Sequence, residues 1–429
     1  MEIALIFGSL ILLVLIGVPV AFSMGLSTLL GFYLNNTWGF ASVIAQRMYS
    51  GSTSFILIAI PFYIMTGLLM NAGGMTKRII CFAQLLVGRF TGGMGYVNVV
   101  ASMIFSGMSG SAVADASGLG ILELEVMKKA GYEEKFSAAI TAASSTIGPI
   151  VPPSIPFVIY GGLTGTSVGR LFLGGFIPGI AMGISLIIAI YFVARKRNFP
   201  KNSVKMTWKE FATSTVNVLL ALGTVLIIVY GIVGGVFTPT EAAVVASIYS
   251  FVLGFFFYKD LKLQQLPGIV WETLKHTIRV IFIIATASGF SWVLTIMHVP
   301  QKIIATFSSI LSEPILVLLI INALLLILGC FMESISIMLL VTPVLMPVIK
   351  EIGMDPVHFG VMMTLNLMIG LITPPMGLSL YSVASISKIP IWNIVSELKP
   401  FLIALLAVLL LIIFFPSLTM FLPDLIMGN

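Results

Sequence analysis

Two stretches of this chain break the rules for a helix in lipid. Residues Ser144–Gly161 read SSTIGPIVPPSIPFVIYG, and Asn366–Val383 read NLMIGLITPPMGLSLYSV. Each is an apolar run with glycine and adjacent prolines at its centre. A proline removes a backbone donor and clashes with the preceding turn. Inside a bilayer the freed carbonyls find no water, so such a break survives only where protein or a wet cavity receives it. Two broken helices at corresponding positions of two half-chains mark a solute site near the membrane midplane.

The rest of the composition agrees with a bilayer setting. Of 429 residues, 59% are hydrophobic and 9% charged, and the mean hydropathy is +1.12, which excludes an ordinary soluble domain. Apolar runs long enough to span recur along the chain. The net charge of +6 is spread over loops, so it speaks of topology and not of nucleic acid. Two cysteines, Cys81 and Cys330, give no disulfide framework.

In chain order, residues 3–34 are apolar and divided or kinked at Gly17 and Pro19. A span at 55–72 follows a polar stretch. Val97–Leu124, centred on SGMSGSAVADASGLG, is too broken for one span and reads as a re-entrant hairpin with that polar centre at its tip. The first broken helix, a span at 172–194 and the basic run Arg195, Arg197, Lys201, Lys205, Lys209 complete the first half. The second half contains 213–235, FTPTEAA at 237–243, and a span to Tyr258. An amphipathic segment at Lys259–Arg279 reads as an interfacial helix. Spans near 280–297 and 314–328 lead to a second broken segment, GCFMESISIMLLVTP, then the second broken helix and a final span at 401–416.

The halves repeat. A shift of 222 positions sets Gly107–Pro178 against Gly329–Pro400 without a gap, and ten of the 72 positions are identical. Several of the matches, Gly131/Gly353, Gly148/Gly370, Pro152/Pro374, Pro153/Pro375 and Pro178/Pro400, are residues that set backbone shape. The basic run ends the first half in the cytoplasm, and nothing after Lys399 is basic. Equivalent spans then cross in opposite directions, so the repeat is inverted. The expected fold is an all-α polytopic membrane unit over 1–429, with inverted halves 1–200 and 201–429, two re-entrant hairpins and two broken helices.

The tips and breaks offer carbonyls and hydroxyls, hard oxygen ligands suited to Na+, while half-helix N-termini suit an anion. The expected Na+ ligands are Ser106, Ser109 and Ser145 with backbone near Gly107 and Gly148, and Glu333 and Thr373 with backbone near Gly329 and Gly370. Ser111, Asp115, Pro152, Pro153, Ser334, Pro374 and Pro375 are the expected substrate-facing residues. Asp115 and Glu333 stand in apolar stretches, where a carboxylate is costly without a function. His276, His298 and His358 have no metal spacing and read as interfacial. No catalytic constellation is present, so an enzyme is not expected.

SGMSGSAVADASGLG, IGPIVPPS, FTPTEAA, GCFMES and LITPPMG, in that order, resemble the signatures of the large membrane (M-type, DctM-like) subunits of tripartite ATP-independent periplasmic (TRAP) transporters. The resemblance runs over essentially the whole chain and is strongest to sialic-acid (N-acetylneuraminate) systems. It implies Na+-driven import of a carboxylate-bearing solute by an elevator motion in a bacterial inner membrane, without an organic cofactor. It also implies two partners, a small four-helix Q-type membrane subunit on a separate chain and a soluble periplasmic P-type binding protein. A stand-alone Na+-coupled dicarboxylate elevator carrier is the alternative.

Overall fold

The computed structural model describes residues 2–35, 41–197, 199, 207–306 and 312–428. Among these residues there are helices and connecting turns and no strand. Among the described residues, seven helices are long and apolar enough to cross a membrane, and shorter apolar helices accompany them.

One group of helices comes from the start of each half. Glu2–Leu15 ends at Gly17, whose φ of +90° only glycine takes readily, and Pro19 precedes Val20–Leu34. Ala41–Ser52 and Ala59–Ala72 follow, the latter extended backwards by a 3-10 turn at Phe55–Ile58. From the other half come Trp208–Val233, Pro239–Val252 and Leu266–Ile296. The motif FTPTEAA has a local job: Thr238 is the N-cap, Pro239 opens the helix, and the Glu241 carboxylate accepts from the Thr238 amide at 2.8 Å. Leu266–Ile296 packs on Val20–Leu34, Ala41–Ser52 and Ala59–Ala72. Pro239–Val252 also packs on Ala59–Ala72, where the Thr66 and Ser247 hydroxyls meet at 2.9 Å and Tyr63 donates to the Pro239 carbonyl at 3.2 Å.

Here one expectation is corrected. Lys259–Arg279 is not a separate interfacial helix, because from Leu266 the helix runs unbroken to Ile296. Pro267 lies at its start, where a missing N–H costs nothing, and no further proline interrupts it. The charged turns and the apolar span are one rod.

The second group holds the breaks. Met75–Val87 leads into Gly93–Ser109, which turns at Gly110 (φ +58°) and Ser111 into Ala112–Lys129. The two helices pack on each other as the expected hairpin. Glu134–Ser145 and Ile155–Thr164 are the two pieces of the first broken helix, and Val168–Arg197 follows. In the second half Val299–Thr306 precedes Pro314–Gly329 and Ser334–Glu351. The expected span at 314–328 is therefore one arm of the second hairpin, whose tip is Cys330–Glu333. Pro356–Gly370 and Leu378–Ser387 are the pieces of the second broken helix, followed by Ile391–Phe414 and Ser417–Met427.

The offset seen in the sequence reappears in the helices. Ala112–Lys129 and Ser334–Glu351 are both 18 residues long and start 222 positions apart. Glu134 and Pro356 open the two broken helices at the same offset. The halves interlock: Ala112–Lys129 packs on Leu378–Ser387, and Ser334–Glu351 on Ile155–Thr164. Tyr160, fully buried, donates to the Pro356 carbonyl at 2.8 Å and so ties the first broken helix to the second.

At one end, Arg197 reaches Glu397 at 2.6 Å and Glu133 at 3.4 Å, and Lys135 reaches Glu397 at 3.3 Å. Lys201 and Lys205 of the basic run lie outside the described residues. At the other end, Arg170 holds the C-terminal helix through Asp424 and the Gly428 carbonyl, both at 2.6 Å. His358 is not interfacial: it is buried, its Nδ1 2.6 Å from the Thr419 hydroxyl.

Candidate functional site

Each hairpin tip sits on the break of its own half. A β-carbon on Gly110 would stand 2.9 Å from the Pro153 carbonyl oxygen and 3.1 Å from the Ile155 amide nitrogen, so the first tip rests on the backbone of the first break. In the second half the Cys330 carbonyl, at the tip, accepts from the Met376 and Gly377 amides at 3.2 and 3.3 Å. Gly329 and Gly370 pack backbone to backbone beneath it. Pro152–Pro153 and Pro374–Pro375 are both cis peptides.

At the first break the chain leaves the helix after Ser145 and re-enters at Ser154. Ser154 caps the next piece, accepting from the Phe157 amide at 3.2 Å, and its hydroxyl donates to the Pro149 carbonyl. At the second break Thr373 follows Gly370, and Leu378 opens the next piece after Gly377 (φ +35°).

The expected ligands fall at these two places. Ser106 is buried and donates to the Ser102 carbonyl of its own helix; Ser145 donates to the Ala142 carbonyl at 2.8 Å. Thr373 donates to the Ile369 carbonyl at 2.8 Å. Each hydroxyl hydrogen is thus turned into its own helix, and the oxygen lone pairs remain to accept a cation. The Ser109 side chain and the surroundings of Gly107 lie outside what is described.

Asp115 is the most informative of the expected residues. It is 1% exposed, and neither carboxylate oxygen has a hydrogen-bond partner among the described residues. A β-carbon on Gly148 would lie 3.7 Å from its Oδ2 and 3.3 Å from the Ser145 carbonyl, so the carboxylate faces the first break. An uncompensated carboxylate in a dry interior is strongly unfavourable. Ser111, beside it, is the N-cap of Ala112–Lys129.

Glu333 is engaged differently. It caps Ser334–Glu351, accepting from the Ser336 amide at 3.2 Å and from the Ser334 and Ser336 hydroxyls at 3.4 Å. Ser334 is buried against it. The proline pairs are not equivalent in exposure: Pro152 and Pro153 are buried, while Pro374 is half-buried and Pro375 exposed.

Two residues that the sequence reading passed over are central. Glu123 is 3% exposed and accepts from the Asn98 side-chain amide at 2.8 Å; the same amide reaches Thr141 at 2.7 Å. Ser144 closes the cluster by donating to Asn98 Oδ1 at 2.7 Å. The second half has its own buried pair, Asn366 donating to Asn322 Oδ1 at 2.7 Å. Glu123 stands among apolar neighbours just as Asp115 does, and that was the available signal.

This geometry has counterparts among known proteins. The family model for the tripartite ATP-independent periplasmic transporter, DctM component, matches residues 7–418. The sialic acid TRAP transporter large permease protein SiaM of Vibrio cholerae is 45% identical, over 96% of each chain. The sialic acid TRAP transporter permease protein SiaT of Haemophilus influenzae is 42% identical, over 97% of this chain and 67% of that one. The C4-dicarboxylate TRAP large permease DctM of Vibrio cholerae is 38% identical, over 100% of this chain and 99% of that one. In fold, the Alcanivorax borkumensis YdaH transporter superposes with a TM-score of 0.62 at 14% identity, covering 89% of each chain. A helical membrane architecture with hairpin tips on two broken helices, and a family match along nearly its whole length, identify this chain as a member of the DctM family of TRAP transporter large permeases.

Proposed function

We propose that this permease couples Na+ entry to the import of a carboxylate-bearing solute, N-acetylneuraminate being the favoured substrate. The observation that carries the reading is Asp115, buried with no hydrogen-bond partner among the described residues at the place where the first hairpin tip meets the first break. A cation there would supply the missing charge. Asp115, expected from the sequence to face substrate, therefore belongs with the cation, since a carboxylate-bearing solute would be repelled by it.

On this reading the first Na+ is held by Ser106, Ser109, Ser145 and Asp115 with carbonyls near Gly107 and Gly148. The second is held by Glu333 and Thr373 with carbonyls near Gly329 and Gly370. Ser111, Ser334 and the proline pairs Pro152–Pro153 and Pro374–Pro375 border the solute. The matching offsets support two inverted halves, 1–200 and 201–429, which let one site face either side of the membrane. The hairpins and broken helices then move as one body, elevator fashion, against the group containing Leu266–Ile296. The names of the relatives favour sialic acid over a C4-dicarboxylate, and the family favours work with a small Q-type subunit and a periplasmic binding protein in the inner membrane.

Reconstitution tests this. The permease and small subunit in proteoliposomes, with the sialic-acid binding protein outside, are expected to take up labelled N-acetylneuraminate. Omission of the binding protein is expected to abolish uptake. Equal uptake without it would favour a stand-alone carrier.

A further inference from the structure

We propose that a cavity beside the base of the first hairpin binds the headgroup of an anionic phospholipid. The cavity, of about 680 Å³, lies between the turn before Gly93–Ser109 and the last turns of Val168–Arg197. Phe90, Thr91, Tyr96, Tyr191, Arg195 and Phe199 line it. Two glycines explain why it exists. A β-carbon on Gly92 would stand 2.6 Å from Ala194 Cβ, and one on Gly95 3.0 Å from Ile190 Cγ2, so the two helices touch there and leave a cleft alongside.

The chemistry of the lining is one-sided. None of its residues is acidic. Arg195 has no carboxylate partner among the described residues, and its guanidinium lies 3.5 Å from the Tyr191 hydroxyl. Its neighbour Arg197, in contrast, is committed to Glu397 and Glu133. Arg89 is outside the lining but its guanidinium lies 5.4 Å from the ring centroid of Phe90, which is part of it. Thr91, Tyr96 and Tyr191 add hydroxyl donors. The Arg195 guanidinium and several hydroxyls, with Arg89 next to the lining and no acidic residue in it, fit a phosphate.

The mouth argues for a lipid phosphate. Ile180, Ile184, Ile188 and Phe192 form an exposed apolar stripe on Val168–Arg197, at i, i+4 spacing, and Tyr191 joins it to the cavity. Acyl chains would lie along that stripe while the headgroup enters between the aromatic residues. A basic, aromatic-lined pocket among helices ending in a basic cluster is the recognised setting for an anionic headgroup.

Native mass spectrometry of the purified, delipidated permease is the test, with phosphatidylglycerol, phosphatidylcholine and inorganic phosphate as probes. Phosphatidylglycerol is expected to be retained in preference to phosphatidylcholine, with inorganic phosphate unable to displace it. Arg195→Gln is expected to cut that retention about fivefold, the contribution of one basic residue near an anionic surface, and Arg89→Gln with Arg195→Gln to bring it to the phosphatidylcholine level. Lys196→Gln, outside the lining, is the control. All three changes are at exposed positions, so folding is preserved. Equal retention of the two lipids, equal loss in Lys196→Gln, or displacement by inorganic phosphate would each overturn the proposal.

Discussion

Gly329 and Gly370 lie backbone against backbone: a β-carbon on Gly329 would stand 2.9 Å from the Gly370 Cα, and one on Gly370 2.6 Å from the Gly329 Cα. This contact fastens the second hairpin to the second broken helix. Both neighbours are main chain, so neither can move aside as a flexible side chain would.

Alanine at either position is therefore expected to overpack the contact. Gly329→Ala and Gly370→Ala should each destabilise by about 1–3 kcal/mol. Thermal unfolding in detergent would show it, and uptake should fall as well. Alanine at Gly353, where nothing lies within 4 Å of the new methyl, should lose stability only through its φ of +68°.

Asp115→Asn keeps the shape of the side chain and removes its charge. With no partner for the carboxylate among the described residues, the variant should be at least as stable as the parent in Na+-free buffer. The stabilisation that Na+ gives the parent should shrink in the variant. Thermal shift in NaCl against choline chloride, on both proteins, measures this. An undiminished Na+ shift in Asp115→Asn would remove this residue from the site.

Arg197 and Glu397 tie the ends of two long helices together, and the Glu397 side chain is only 8% exposed. Arg197→Met should cost about 1–2 kcal/mol by leaving that carboxylate underpaired, an effect tempered by the one-third exposure of Arg197. Adding Glu397→Gln should recover most of the loss, a non-additivity that a double-mutant cycle in thermal unfolding would register.

The proline pairs are expected to part company. In sequence they look interchangeable, and a helix-propensity argument expects alanine to keep or raise stability at both. In the fold Pro152 and Pro153 are buried under the first tip, whereas Pro375 is exposed. Pro152→Ala/Pro153→Ala should lose about 1–3 kcal/mol through deleted methylenes, and Pro374→Ala/Pro375→Ala much less. Thermal unfolding of the two double variants compares them directly.

What could be read in advance was what glycine and proline write into the chain: both breaks, both tips and the 222-residue offset, because these residues constrain backbone wherever they stand. The single rod Leu266–Ile296 was not legible, since its charged first turns look like a surface helix until Val20–Leu34 and Ala59–Ala72 pack along it. The Asn98–Glu123–Thr141 cluster was missed for a related reason. Its members are 25 and 43 positions apart, and only the folding of the hairpin onto Glu134–Ser145 makes them neighbours. Thr238 and Glu241 were seen as a motif but read without their role, an N-terminal capping box. Na+ ligands were inferred from residue type and Asp115 was expected to face substrate; its lack of a partner among the described residues, invisible in the sequence, is what moves it to the proposed cation site.

Ion replacement in proteoliposomes tests the coupling most directly. With the small subunit and binding protein present, uptake of labelled N-acetylneuraminate is measured under an inward Na+ gradient and again with choline or K+ in place of Na+. Coupling through the hairpin tips predicts that uptake collapses on replacement and rises more than linearly with Na+ concentration, as two sites require. Uptake that proceeds at the same rate in choline would contradict it.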